Sequence, residues 1–338
     1  MIAAKVPKKH AQKAREEIIR KNLLNKNYKI TSDKDFVYFP LTEKAKIKNA
    51  QITSKRGTKL KKAEKPRNLK QALKGVLTKK ELAHLKTSFD VVGSIAIMEI
   101  DPALVPKEKT IAQKLLEINP AIKTVLKKAG AHEGRFRTQK LKHLAGKRTK
   151  EACVRENNVT LCLNVEKVYF SVRLATERKR IASLVNPGEK VLVMFSGCGP
   201  YTCVIAKNTQ AKKVVGVELN PEAHKYAQLN IKQNKLEEKA EAVLGDARES
   251  HLLGKFDRIL MPLPKSAEEF LDAALLAAKS KTTIHLYTFG SEEELEDRKK
   301  QVRQICRQHG KRIRIIHTER CGQFSPKVYR WCIDFRLL

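Results

Sequence analysis

The chain has 338 residues, 41% of them hydrophobic, and a formal net charge of +34; the first 80 residues alone hold 24 Lys and Arg against 6 Asp and Glu. Length and apolar content suit two or three domains with filled cores, and the uneven positive surplus marks a polyanionic partner because each phosphate contact releases counterions, a merely solvated lysine-rich surface being the competing reading. No apolar run approaches the roughly 18 residues of a membrane helix, the N-terminus lacks a secretory apolar core, and an aromatic content of 6% disfavours a single-strand stacking platform.

In chain order, residues 1 to 60 read as a small basic unit with a helix over Lys9–Asn25 and a strand at Phe36–Pro40. Lys44–Lys70, broken by Gly57 and Pro66, reads as a linker or solvated surface. Residues 71–168 read as an α+β region. Its elements are a helix at Lys79–Lys86, a strand at Val91–Glu99, and helices at Lys107–Glu117 and Pro120–Lys128, the last with Asn119 as its cap. Short strands follow at Ala152–Arg155, Thr160–Asn164 and Lys167–Ser171. From residue 169 to the end the pattern is that of a doubly wound, mostly parallel α/β sheet. Strands fall at Lys190–Phe195, Lys213–Glu218, Ala240–Leu244, Phe256–Met261, Thr282–Thr288, Lys311–His317 and Tyr329–Phe335. Helices fall at Tyr201–Asn208, Pro221–Asn234, Ala267–Ala278 and Glu292–His309. Seven cysteines form no CxxC pair, which argues against a zinc ribbon and suits reduced thiols in a cytoplasm. The nine histidines show no metal spacing, so no metal site is expected.

Chemistry concentrates at the ends of the first four strands of that sheet. The apolar run Val191–Phe195 turns through Ser196-Gly197-Cys198-Gly199-Pro200 into a helix, and glycines there let backbone approach a ligand. The second strand ends in Glu218 and Leu219, where an acid can hold both hydroxyls of an adenosine ribose. The third ends in Gly245-Asp246-Ala247, the fourth in Met261-Pro262-Leu263-Pro264-Lys265. A nicotinamide dehydrogenase also wants a glycine turn and an acid about 20 residues on, but the third glycine of its fingerprint is missing. The strand-end pattern instead favours S-adenosylmethionine, with Phe195, Ser196, Gly197, Gly199, Pro200, Glu218, Leu219, Asp246, Ala247 and Pro262 as its binding residues. By themselves Glu218 also reads as a helix N-terminal acid and Gly245-Asp246 as an ordinary turn.

Several stretches together carry a resemblance: Asn22–Ser32, Phe89-Asp90-Val91-Val92-Gly93, Phe136-Arg137, His143-Leu144-Ala145-Gly146, Tyr169–Arg178 and Pro264-Lys265-Ser266. Along nearly its whole length the chain resembles the archaeal and eukaryotic tRNA (guanine-37 N1)-methyltransferases, most specifically at Tyr169–Arg178. The resemblance implies an N-terminal domain contacting the tRNA elbow, an intermediate RNA-binding domain, and a Rossmann-like catalytic domain reaching the anticodon loop. A monomer with no obligate protein partner is expected, and the lack of a long apolar run leaves no membrane association to expect. N1 of guanine carries a proton that must leave as the methyl arrives, and by resemblance Glu177 is the general base. Negative charge then grows on O6, where a fixed guanidinium stabilises it; by resemblance this is Arg137. Tyr169 matches the aromatic that contacts the flipped-out base. Arg173 and Arg178 are expected to hold phosphates, with Pro264 and Lys265 also on the substrate side.

The chain departs from the family pattern at Pro262, where the usual residue is asparagine, and at Val172 and Gln139, where proline and arginine are common. Some archaeal members with proline in place of that asparagine also methylate carbon on 4-demethylwyosine, so the resemblance adds a second expected activity in wyosine biosynthesis. A non-catalytic RNA-binding protein or chaperone with a Rossmann-like domain is the alternative.

Overall fold

The computed structural model describes residues 2–54, 66–130, 134–263 and 265–338. Two compact units divide the chain between Gln71 and Ala72. In the first, β1 (Ile2–Pro7) lies between β3 (Phe36–Pro40) and β4 (Gln51–Ser54), antiparallel to both, with β2 (Thr31–Ser32) beside β3. Helix α1 (Ala11–Arg20) presents Ala14 and Ile18 to Ala4, Val6, Phe39 and Leu41. The helix is shorter than the sequence suggests. Gln51–Ser54, expected within a linker, is a strand because its backbone completes the edge of β1; the rest of that linker expectation falls partly on 55–65, outside the described residues.

Past the short helix α2 (Leu69–Ala72), the second unit opens with α3 (Lys79–Ala83), closed at its start by a Thr78/Glu81 capping box. The expected strand Val91–Glu99 is a hairpin instead. β5 (Phe89–Val92) turns at Gly93 (φ 58°) into β6 (Ile95–Met98), and a Cβ at Gly93 would lie 2.4 Å from the Cys153 carbonyl oxygen. A left-handed backbone and this close approach both require glycine. Helix α4 (Glu108–Ile118) then leads to β7 (Thr124–Lys128), parallel to β6, and β8 (Leu141–Gly146) closes a four-stranded sheet. The expected helix Pro120–Lys128 is therefore wrong. The Asn119 amide donates back to the Leu115 carbonyl (3.2 Å) and ends α4 rather than starting a helix, while Thr124, Val125 and Leu126 are fully buried against the sheet. Tertiary pairing overrides the local cap signal.

β9 (Glu151–Glu156) and β10 (Val159–Asn164) form a hairpin around Asn157 and Asn158, both left-handed (φ 42° and 64°) as a two-residue primed turn demands. That register sets Cys153 directly opposite Cys162, and the two are joined as a disulfide with Cα atoms 4.0 Å apart. The expectation of reduced thiols throughout is corrected at this pair. The expected strand Lys167–Ser171 is absent; that segment is turns and irregular backbone.

A seven-stranded sheet follows, built from β11 (Lys190–Met194), β12 (Lys213–Glu218), β13 (Ala240–Leu244), β14 (Phe256–Met261), β15 (Ala278–Gly290), β16 (Ile313–Ser325) and β17 (Val328–Leu337). Its order is β13-β12-β11-β14-β15-β17-β16, parallel from β13 to β15 and antiparallel at β17 and β16. Helices α5 (Ala175–Ser183), α6 (Pro200–Asn208), α7 (Pro221–Gln233), α8 (Leu271–Ala277) and α9 (Leu295–Gln308) accompany it, giving a Rossmann-like α/β fold. Strand order reverses between β11 and β14, and such a switch point opens a crevice at the carboxyl ends of the strands. Buried Asn230 on α7 bridges this crevice to the β9–β10 hairpin: its amide donates to the carbonyls of Cys198 (2.8 Å) and Cys162 (3.0 Å). Among the described residues no helix is long and apolar enough to cross a membrane.

Candidate active site

A cavity of about 530 Å³ occupies the crevice. The turn after β11 runs through the left-handed region: Phe195, Gly197 and Gly199 all have positive φ (55°, 58° and 80°), which the two glycines adopt freely and Phe195 does not. A non-glycine held left-handed persists only where surrounding structure fixes it, commonly at functional sites; here the Phe195 ring packs edge-on against Phe270, centroids 4.9 Å apart. Gly216 on β12 has no side chain to displace Ser196 and Thr202, which a Cβ there would meet at 2.9 Å or less. Ser196 lines the cavity, and its buried hydroxyl has no hydrogen-bond partner among the described residues, so the turn holds a buried polar group with unused hydrogen-bonding capacity.

Glu218 lies across from this turn, its carboxylate accepting the Gly197 and Asn220 amides, each at 2.7 Å. Burial, outweighing those amides, raises its carboxyl above the usual range. Each oxygen keeps a lone pair for a ribose hydroxyl. Asp246 caps the next turn by accepting the Arg248 amide (3.0 Å) and is also held by Arg135 (3.1 Å). Of the residues expected to bind the cofactor, Phe195, Ser196, Gly197, Pro200, Glu218, Leu219, Asp246, Ala247 and Pro262 all line the cavity, while Gly199 stands behind it as the left-handed cap of α6. The acid, the glycine turn and the aromatic ring that line it suit S-adenosylmethionine.

The residues expected to act on the substrate divide. Arg137 and Tyr169 line the cavity, as does exposed Lys265. Arg137, left-handed at φ 51°, is partly buried, and that burial lowers its pKa from the ordinary guanidinium value. Arg173 is 73% exposed and pairs with Asp90 at 2.6 Å. Pro264 lies outside the described residues. Arg178 is corrected. At 1% exposure it is locked to Glu156 by two hydrogen bonds (2.5 and 2.6 Å) and donates to the Ser171 carbonyl, so it orders the segment from Phe170 rather than meeting a phosphate.

Glu177 does not line the cavity. It is 5% exposed, gripped by Arg180 through two bonds of 2.7 Å, and accepts a 2.6 Å hydrogen bond from the Tyr287 hydroxyl. Tyr201 in turn donates to Tyr287 (3.0 Å), and both tyrosines line the cavity. Burial raises both phenols well above their ordinary pKa, keeping them neutral. Behind them, burial alone would raise the Asp334 carboxyl, yet His285 and Arg180 hold it well below its usual range. Among the described residues His285, Cys332 and Asp334 are grouped closely enough to hold a metal. Their donors already bind one another, and the adjoining guanidiniums of Arg180 and Arg258 disfavour a cation there.

Comparison with known proteins gives three family matches along the chain. A TRM5/TYW2 methyltransferase domain covers residues 152–316, a TYW2 N-terminal domain 69–149, and a tRNA methyltransferase 5 N-terminal domain 3–49. The chain is 35% identical to tRNA (guanine(37)-N(1))-methyltransferase Trm5b of Pyrococcus abyssi, with 99% of each chain covered. The chain belongs to the TRM5/TYW2 methyltransferase family. Another relative, tRNA (guanine(37)-N(1))/4-demethylwyosine(37)-methyltransferase Taw22 of Nanoarchaeum equitans, is 33% identical over 74% of this chain and 100% of its own. A solved structure of aTrm5 with tRNALeu superposes with a TM-score of 0.74 at 29% identity, covering 100% of both chains.

The methyltransferase cavity also uses residues that sequence reasoning missed: Tyr201, Tyr287, Arg135, Phe270 and Arg330. Tyr287 and Arg330 lie on β15 and β17, far along the chain from any motif, and only the sheet order brings them to the crevice. Glu218 gives a testable pH effect. A ribose hydroxyl donates to the ionised carboxylate, so protonation removes an acceptor. S-adenosylmethionine affinity should therefore fall on acidification, starting above the ordinary carboxylate range because burial raises this group. Calorimetry across pH checks it: Glu218→Gln should bind weakly with a flat profile, and a parent profile equally flat removes the assignment.

Proposed function

We propose that this enzyme transfers the methyl group of S-adenosylmethionine to N1 of guanosine 37 in the anticodon loop of tRNA. The observation that carries this reading is one cavity joining a ribose-type acid, Glu218, to the arginine and aromatic, Arg137 and Tyr169, suited to an extruded guanine. The cofactor supplies an electrophilic methyl on a sulfonium. Phe195, Ser196, Glu218 and Asp246 would hold it; Tyr169 would pack on the base, and Arg137 would stabilise the charge that grows on O6.

The proton leaving N1 reaches Glu177 through the two tyrosines. Tyr201 takes it and passes its own hydroxyl proton to Tyr287, which passes its proton to the Glu177 carboxylate, the direction in which both hydroxyls already donate. The N1–H bond would break as the methyl supplied by the bound cofactor is joined to N1, and the Glu177 carboxylate would end as a carboxylic acid, which balances the positive charge lost from the sulfonium. Residues 1–60 would contact the tRNA elbow, 71–168 would form an RNA-binding domain, and 169–338 would carry the chemistry, in a cytoplasmic monomer. Labelled S-adenosylmethionine incubated with unmodified tRNA, followed by nucleoside mass spectrometry, tests the activity: label in 1-methylguanosine at position 37 is expected, and no transfer overturns it.

A second substrate rests on Pro262. It lines the cavity where an asparagine amide would offer both donor and acceptor, whereas proline offers a carbonyl alone. A site without those hydrogen bonds discriminates less against base analogues. On tRNA carrying 4-demethylwyosine, the parent should methylate carbon of the tricyclic base and Pro262→Asn should lose that activity while retaining guanine methylation. A parent that leaves the tricyclic base untouched ends this reading.

A further inference from the structure

The antiparallel hairpin of β16 and β17 carries aromatic side chains that the cofactor and the target base leave unused. Phe324, near its tip, is 58% exposed, its ring 4.2 Å from that of Phe289 at an interplanar angle of 31°. The Arg330 guanidinium sits 5.4 Å over Phe289 and donates from Nη2 to the Tyr169 hydroxyl at 3.3 Å. A continuous series of rings and one guanidinium therefore runs from the cavity mouth at Tyr169 to an exposed aromatic face. Independently, Arg330 lines the cavity, and its buried Nε has no hydrogen-bond partner among the described residues. Two of the register shifts in this hairpin, Arg320/Gly322 and Gln323/Ser325, fall beside Phe324; bulges of this kind re-aim side chains next to functional sites.

We infer that Phe324 is the stacking surface for an unpaired nucleotide next to the methylated base, with Arg330 as the donor to that nucleotide's phosphate or base oxygen. The inference rests on the proposed tRNA substrate. Extruding one base from a loop strips its neighbour of a stacking partner, and an aromatic face replaces that partner for any base because every base has a π-face. Charge favours RNA over an apolar protein partner: exposed Lys327 forms the turn, and Arg330 adjoins it. Arg320, over the Tyr329 ring, is paired with Glu292 and adds little. The low aromatic content of the chain is an average, and this strip concentrates its rings where a single strand would pass.

Full-length tRNA carrying 2-aminopurine at the position on either side of the target guanine provides the test. With the parent protein, fluorescence should be quenched at one of the two positions. Phe324→Ala should abolish that quenching and weaken tRNA binding about 10-fold, while Phe324→Trp should retain both. An abasic nucleotide at the quenched position should weaken the parent but not Phe324→Ala, an interaction that a merely structural phenylalanine would not produce. Quenching and affinity in Phe324→Ala equal to the parent's, or losses from the two changes that simply add, overturn the inference. A parent that neither binds nor methylates the tRNA overturns the proposed function as well, and the parent control separates the two failures.

Discussion

Glu177→Gln should slow single-turnover methyl transfer by roughly 10²–10⁴-fold, the share of a general base, while S-adenosylmethionine affinity is retained because Glu177 does not line the cavity. The amide accepts a hydrogen bond from Tyr287 but cannot take up its proton at neutral pH. Tyr287→Phe should reproduce most of the loss, since it removes the one hydroxyl linking Glu177 to Tyr201 and the cavity. Rapid-quench kinetics with saturating tRNA checks both. A slow Glu177→Gln beside a normal Tyr287→Phe would give the proton a different path, and parent-like rates in both would remove Glu177 from the chemistry. The glutamine leaves Arg180 with a neutral partner, so thermal unfolding should accompany the kinetics to separate lost stability from lost rate.

Arg178→Ala should destabilise the second unit by about 3–5 kcal/mol, the usual cost of breaking a buried ion pair from one side. Both partners are almost fully buried, so the Glu156 carboxylate would remain desolvated with its two charge-assisted bonds gone. Urea unfolding measures the loss. Replacing Arg178 and Glu156 together by apolar residues should recover part of it, because no lone charge is then left inside. If Arg178→Ala unfolds like the parent and only tRNA binding suffers, the guanidinium contacts phosphate after all.

Strands β12, β13 and β14 match the sequence reading residue for residue, and β11 differs by one residue. Strands buried on both faces must be continuous apolar runs, and a run such as Val191–Met194 has few other uses. Glu218 and Asp246 were legible for a related reason: an acid at or just past the end of a strand sits at a carboxyl end, where a crevice forms. Pro120–Lys128 shows the opposite. A local cap and proline suggested a helix, yet parallel pairing with β6 and full burial of Thr124–Leu126 outweighed fractions of a kcal/mol per residue in helix propensity.

The sequence by itself determined the apolar strands, the glycine turn after the first of them, the acids at the strand ends and the excess of positive charge. These depend on residue type and short spacing alone. Tertiary structure decided which charged side chains reach the cavity and which are locked away. Arg178 and Glu177 belong to one short motif, yet a carboxylate 22 residues before Arg178 holds that guanidinium inside the fold. A tyrosine 110 residues after Glu177 links its carboxylate to the cavity wall. The sequence carries no local mark of such partners, because an ion pair or hydrogen bond forms wherever folding brings two groups within about 3 Å, however far apart they lie along the chain.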